Sequence, residues 1–493
     1  MSEQKAPAAG ATAASASLLD RQASGGDMAG SGFTFQENAV LARIPMWLSR
    51  DGFAAMIREA VGDTEVKFFT PDRGDQIEFV EAKNHRVAPA EFWREIDRFQ
   101  KLDQASPGTY GWFTLVSAGL SGELQPLTNG LRRIRGAYAF YGRDTQIHIE
   151  SFATFVEVVC RLGGSEVDAR FIFDRVLLDT QQAEAQDHGE GLFIEALGHW
   201  LPEYQNLSLH VLRRARSALG DLLRSRTCET ITRVEIESRL NQVLPNGDVP
   251  QPRPISLYTS TVEDDPYFGP ALGFDLARFF GGTARSYPPP LEWERHVLDP
   301  LRATRDWIAR SRETRRIHLQ GDRRLSTTFC IGSVFSAVAG FNLEMDYRGE
   351  IWRTDSYPGN ATPRYALEHH LTVGHSNRVA ISIGIAKIIT AQVEADLSRH
   401  GLNDASVLHL HGLEPIVSPA HANTAVQAIK AQITSALQSI GGSEIHLFYA
   451  GPAHLALFWA IASTPPRVCS VMSGFLRVLT CQPVLLLLEM EMM

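Results

Sequence analysis

Apolar and polar positions change their period several times along the chain, and each change marks an element. In Gln76-Ile77-Glu78-Phe79-Val80-Glu81-Ala82-Lys83-Asn84-His85 the alternation is that of a β-strand, with Ile77, Phe79, Glu81 and Lys83 on one face. That face begins apolar and ends in a carboxylate and an ammonium. Charged groups on a core-directed face call for a partner or a task. Upstream, Phe33 to Leu48 has helical spacing (Phe35, Ala39, Ala42, Met46), and Pro45 should kink or end the helix. Gly52 to Glu59 reads as helix and Glu65 to Phe69 as a strand. Pro71-Asp72-Arg73-Gly74-Asp75 supplies hairpin turn chemistry. A strand opening at Asp63 therefore pairs antiparallel with the strand of Glu81 and Lys83, and Asp63 comes near Glu81. An amphipathic helix follows at Glu91 to Lys101, then a short buried strand at Gly111 to Ser117. Residues 150–245 read mostly helical.

Past residue 310 strands lead repeatedly into helices. Arg316 to Gln320 is a strand, Gly321-Asp322-Arg323-Arg324 a turn, and Leu325 to Val338 a helix. Strands at Phe341 to Tyr347, Arg378 to Ile383, Val407 to His411 and Ile445 to Tyr449 follow, with helices at 386–400, 420–440 and from His454. This alternation predicts an α/β fold with parallel sheets, in two units near 316–355 and 378–458. Ligands of such sheets sit at the carboxyl ends of strands, beside helix N-termini.

Length adds that 493 residues exceed one core, so two or three domains are expected. Residues 1–32, rich in Ala, Ser and Gly, read as disordered, 33–246 as a first domain with a helical extension, 247–258 as a Pro-rich linker and 259–493 as a second domain. Five cysteines without a CxxC fit a reducing cytoplasm and no zinc module. Neither a signal peptide nor a membrane span is expected. The net charge of −9 requires any DNA-binding surface to be local. Arg132, Arg133 and Arg135 form one basic run. Arg213, Arg214, Arg216, Arg224 and Arg226 form another, read either as a solvated helix face or as a phosphate contact surface.

The motifs RIHLQGDRRLSTTFCIGSVFSAVAGF (316–341), YRGEIWRTD (347–355) and EIHLFYAGPAHLALF (444–458) carry a resemblance to the SAVED domain, two fused CARF-like Rossmann units that sense cyclic oligonucleotides in anti-phage (CBASS) systems. GFTFQENAV, GDTEVKFF and QIEFVEAKNH resemble the opening helix, first acidic strand and Glu-x-Lys strand of a PD-(D/E)xK, restriction-endonuclease-like domain. The resemblance implies a DNA endonuclease whose Asp63 and Glu81 hold Mg²⁺ (or Mn²⁺), with Glu37 completing the metal site and Lys83 orienting water or stabilising charge on the phosphodiester. Asp72 and Asp75 are rival acids or solvated turn residues. His85 reads as a polar loop residue.

In the sensing half, the resemblance implies a cyclic tri- or dinucleotide bound by Gly321, Arg323, Arg324, Leu325 and Ser326, by Gly384, and by Gly451, Pro452 and Ala453. Trp352 or Phe335 would stack on a base or else belong to the core. It further implies double-stranded DNA as substrate, cut with little sequence selectivity, and a ligand-induced homo-oligomer. A non-catalytic sensor with a decayed nuclease domain and an RNA substrate stand as alternatives. After Phe458 the family pattern stops, and two prolines stand where a helix should run. Codons permitted for these residues include a shifted frame that restores the family ending. Residues 459–493 are therefore expected to be a frameshifted, partly unfolded tail that leaves the second unit without its last strand.

Overall fold

The computed structural model describes residues 30–141, 145–180, 188–245, 249–261, 269–282, 288–441 and 444–462, together with the backbone of three strands between 469 and 489. Most of the segment read as disordered, residues 1–29, lies outside the described residues. The chain forms two compact units that divide between Pro250 and Gln251, apart from the turn residues 70–74, which group with the second.

The first unit runs α1 (Gly30–Ser49), β1 (Phe53–Arg58), β2 (Thr64–Thr70), β3 (Gly74–Val87), α2 (Pro89–Ala105), β4 (Tyr110–Leu120), α3 (Gln125–Tyr141), α4 (Gln146–Arg161), α5 (Glu166–Arg175), β5 (Val176–Thr180), α6 (His188–Trp200), α7 (Leu209–Ser225), β6 (Thr230–Thr232) and α8 (Arg233–Asn241). Its six strands form one sheet in the order β5-β4-β3-β2-β1-β6. β3, β4 and β5 are parallel, while β1 is antiparallel to β2 and β6. Alternation along β3 feeds two cores. Phe79 packs with Phe92, Phe99 and Phe113 on one face, and Val80 and Ala82 pack with Leu41, Ile44 and Leu219 on the other.

The helix expected at Gly52 to Glu59 is instead strand β1. Both of its edges are occupied, by β2 and β6, and Phe53 and Met56 are buried. Tertiary pairing overrides the helical preference of its alanines. Pro45 lies inside α1 without ending it.

The second unit runs β7 (Ile255–Ser260), β8 (Leu272–Asp275), α9 (Pro290–Trp293), a π turn at Glu294–Leu298, α10 (Asp299–Ser311), β9 (Arg316–Gly321), α11 (Leu325–Val334), β10 (Asn342–Tyr347), β11 (Glu350–Arg353), β12 (Leu367–Thr372), β13 (Arg378–Ile385), α12 (Thr390–Arg399), β14 (Ser406–Gly412), α13 (Pro419–Ile440), β15 (Glu444–Ala450), α14 (Ala453–Ala462), β16 (Cys469–Ser473), β17 (Leu476–Cys481) and β18 (Leu485–Glu489). One sheet has the order β11-β10-β9-β7-β8, with β8, β7, β9 and β10 parallel. The other has the order β12-β14-β13-β15-β16-β17-β18, with β14, β13, β15 and β16 parallel. These are the two expected Rossmann-like units.

The expected linker 247–258 overlaps β7. Ile255 and Leu257 are buried in a strand paired on both edges, so the first unit of the pair begins well before residue 316. The expected loss of the last strand is also corrected, because β16 lies parallel beside β15. Among the described residues no helix is long and apolar enough to cross a membrane.

Candidate functional site

The Glu81/Lys83 end of β3 meets α2 and the start of β2. α2 begins with Pro89 at its first turn and turns Phe92, Ile96, Phe99 and Leu102 into the core. The same rotation carries Glu95 and Arg98 to the strand. Lys83 Nζ lies 2.9 Å from Glu81 Oε1 and 3.0 Å from Glu95 Oε1. Arg98 lies 3.0 Å from Glu81 Oε2 and 3.5 Å from Glu95 Oε2, and its other nitrogen donates to Val61 O at 3.0 Å. Two acids and two bases thus close a ring, with Glu81 and Glu95 both buried. Just past Lys83 the register between β3 and β4 slips, from Lys83↔Ser117 to Arg86↔Gly119. Such a bulge re-aims side chains at the end of a strand.

Asp63 completes the group. Its Oδ2 accepts from the Ala82 N–H at 2.7 Å, and its Oδ1 accepts from Gln36 Nε2 of α1 at 2.8 Å. Burial, and then the charge of Glu81, push the Asp63 pKa up to about 7. Burial opposes the charge of Lys83, but Glu81 and Glu95 outweigh it and hold the ammonium above its ordinary range. Gly62 permits this approach, because a Cβ there would lie 2.4 Å from the Phe79 ring.

Asp63, Glu81 and Lys83 are therefore brought together. Glu37 is not. One residue along α1 from Gln36, about 100° around the helix, it pairs with Arg224 of α7. Asp72 stands exposed on the turn and faces Arg73, Asp75 is exposed at the start of β3, and His85, expected in a loop, lies instead in β3 and pairs with Glu91. Arg213, Arg216, Arg224 and Arg226 are engaged by Glu190, Asn38, Glu37 with Asp221, and Glu229 with Glu235. Glu95, Arg98 and Gln36 were not singled out from sequence. The spacing of Glu95 and Arg98, three residues apart beside the inward face of α2, was the available signal.

The chemistry of the donors fits a hard divalent cation. Two carboxylates converge closely enough for Glu81 to raise the pKa of Asp63, a repulsion that a cation would relieve. Among the described residues no three His, Cys, Asp or Glu side chains form a cage. Water and substrate oxygens would supply the remaining ligands, as Mg²⁺ commonly requires.

In the second unit a cavity of about 450 Å³ is lined by the β10–β11 hairpin, the end of β13, the segment 415–417, the β15–α14 turn and the first turn of α14. Trp352 and Pro452 line it, joined by Tyr347, Arg348, Glu350 and His454. The rings of Tyr347 and Trp352 each lie 4.4 Å from that of His454, and 5.0 Å from one another.

The other expected ligand residues do not line this cavity. Phe335 is fully buried against Phe341. A Cβ at Gly384 would lie 2.2 Å from Lys387 O and one at Gly451 2.6 Å from Tyr449 Oη, so both glycines serve close packing. Ala453 opens α14. Gly321, Arg323, Arg324, Leu325 and Ser326 gather instead at the β9–α11 turn. There Arg323 donates to Gln320 O and Gly321 O, the Arg324 guanidinium lies 4.1 Å from the centre of the Phe280 ring, and the buried Ser326 hydroxyl has no hydrogen-bond partner among the described residues.

Residues 300–472 match the SAVED family profile, described as the SMODS-associated and fused to various effectors sensor domain. The chain is 26% identical over 455 residues to CD-NTase-associated protein 4 of Acinetobacter sp. (strain ATCC 27244 / 9458), covering 90% of this chain and 93% of that protein. It is also 26% identical over 446 residues to the Moraxella osloensis protein of the same name. The Acinetobacter baumannii Cap4 SAVED/CARF-domain containing receptor, solved with the cyclic trinucleotide 2'3'3'-cAAA, has the same fold at a TM-score of 0.77 and 22% identity, covering 92% of this chain and 99% of that one. Residues 300–472 of the second unit are thus similar to the SAVED sensor domain, in a chain that is similar along nine-tenths of its length to CD-NTase-associated protein 4.

Proposed function

We propose that the chain is a Mg²⁺-dependent, largely sequence-nonspecific endonuclease for double-stranded DNA, switched on by a cyclic oligonucleotide held by its SAVED domain. The observation that carries the catalytic reading is the meeting of Asp63, which immediately precedes β2, with Glu81 and Lys83 of β3. A bound Mg²⁺ would activate water and offset charge on the scissile phosphate. Asp63 and Glu81 would hold it, and Mn²⁺ would be an acceptable substitute for such oxygen donors. The chain's own groups do the remaining work. The Ala82 N–H and Gln36 fix the Asp63 carboxylate. Arg98 fixes Glu81, and the Lys83 ammonium stands ready to donate to a phosphoryl oxygen.

The sensor reading is supported by the cavity and by the cyclic trinucleotide carried by the baumannii receptor. A cyclic tri- or dinucleotide would enter the cavity, with the β9–α11 turn as a further phosphate contact. Ligand binding would favour a homo-oligomer in which nuclease domains are brought together. The test is incubation of plasmid with Mg²⁺ and a panel of cyclic oligonucleotides, with EDTA and RNA arms. Cleavage of DNA by one ligand and its loss in EDTA are expected.

One observation favours a second reading, a non-catalytic sensor. Both oxygens of Glu81 are already taken, by Lys83 and Arg98. Ligand binding without cleavage in any arm would select that reading.

A further inference from the structure

His454 is the imidazole among the cavity-lining residues, and it sits in an otherwise apolar first turn of α14. It is 2% exposed, and its Nε2 has no hydrogen-bond partner among the described residues. Buried polar atoms in native proteins are nearly always satisfied, and one left open beside a cavity points to a ligand. Tyr347 and Trp352 wedge the ring from two sides, which fixes its orientation. Burial, and then the nearby charge of Arg348, push its pKa down to about 4, so the ring is neutral at ordinary pH. A neutral imidazole adds no charge to attract phosphate. With its proton on Nδ1 it presents Nε2 as an acceptor. The Glu350 carboxylate, also lining the cavity, is acceptor-only. Two acceptors beside aromatic rings suit a planar base that brings a donor.

We infer that His454 is a specificity-determining residue, accepting a hydrogen bond from the exocyclic amino group of a nucleobase on the bound cyclic oligonucleotide. The inference rests on the sensor reading above and adds the feature that the cavity selects. A site built to hydrogen-bond one group rejects analogues lacking it, because its own polar atom is then left unpaired.

The test uses calorimetric titration of the full chain with cyclic triadenylate and with cyclic triinosinate, which replaces each amino group by a carbonyl. Wild type should bind triadenylate at least about tenfold more tightly. His454→Phe, which keeps the aromatic packing and removes the acceptor, should bring the two affinities within about twofold. His454→Gln, whose amide oxygen accepts, should restore the preference where a merely structural role would not. Melting temperatures of both variants report their folding, and the wild-type comparison needs no variant. Equal binding of the two ligands by wild type, or an unchanged preference in His454→Phe, overturns the role of His454 and leaves the sensor reading standing. Binding of neither ligand by wild type overturns this inference, and failure of every cyclic tri- and dinucleotide of the panel overturns the sensor reading as well.

Discussion

Asp63 is where charge, burial and the proposed chemistry meet. Its pKa of about 7, against an ordinary 3.8, means that the folded chain holds this proton more tightly than the unfolded chain. Between about pH 4 and pH 7 the native state carries the proton and the unfolded state does not, so stability falls as pH rises through that window and levels off above it. In EDTA, Asp63→Asn should therefore stabilise the first unit at pH 8 by on the order of 2 kcal/mol and flatten the decline between pH 4 and 7. Thermal melts across pH check this; a variant no more stable than wild type at pH 8 contradicts it. Mg²⁺ should raise the wild-type melting temperature at pH 8 and leave Asp63→Asn unmoved. Glu81 and Lys83 were legible because strand alternation fixes which side chains share a face. Glu37 was not assignable, because one step along α1 separates the residue that reaches Asp63 from the one that pairs with Arg224. That choice depends on the angle at which the helix is docked, and no local pattern encodes it.

At the scale of the element, β3 and α2 are coupled by the charge ring. Arg98 serves both carboxylates and the Val61 carbonyl, and its guanidinium lies 5.4 Å from the centre of the Phe79 ring. Arg98→Ala leaves Glu81 and Glu95 facing one another with Lys83 alone between them. It should cost about 2–3 kcal/mol, read as a lower denaturant midpoint with an unchanged slope. Arg98→Ala melting like wild type would show that the ring contributes little. Gly62→Ala forces a methyl group into the Phe79 ring and should destabilise the same region by about 1–3 kcal/mol. Denaturant titration reads it, and an unaffected midpoint would mean that the β1–β2 connection yields freely. The strand character of β3 and the helix at α2 were readable from periodicity. β1 was not, because its sequence carries a helical preference that pairing with β2 on one edge and with β6, far along the chain, on the other overrides. Likewise β7 was hidden in a Pro-rich stretch, since its buried Ile255 and Leu257 have meaning only beside β8 and β9.

On the scale of the whole molecule, a unit with a compact charged centre and a unit that matches the SAVED domain over residues 300–472 share one chain. The strand–helix alternation of the second unit and its motifs made that domain legible. The cavity was only partly so: Trp352 and Pro452 line it, whereas His454, Arg348 and Glu350 reach it through the docking of a turn and a helix about a hundred residues apart in sequence. The proposed function has the Asp63–Glu81–Lys83 centre cutting DNA under the control of the sensor. The most direct measurement is plasmid cleavage in Mg²⁺ by wild type and Lys83→Ala, each with and without cyclic triadenylate, alongside calorimetric binding of the same ligand. On that proposal wild type cleaves only when ligand is present, and Lys83→Ala does not cleave despite undiminished ligand binding. Cleavage retained in Lys83→Ala, or wild-type cleavage indifferent to a ligand that binds, would contradict it.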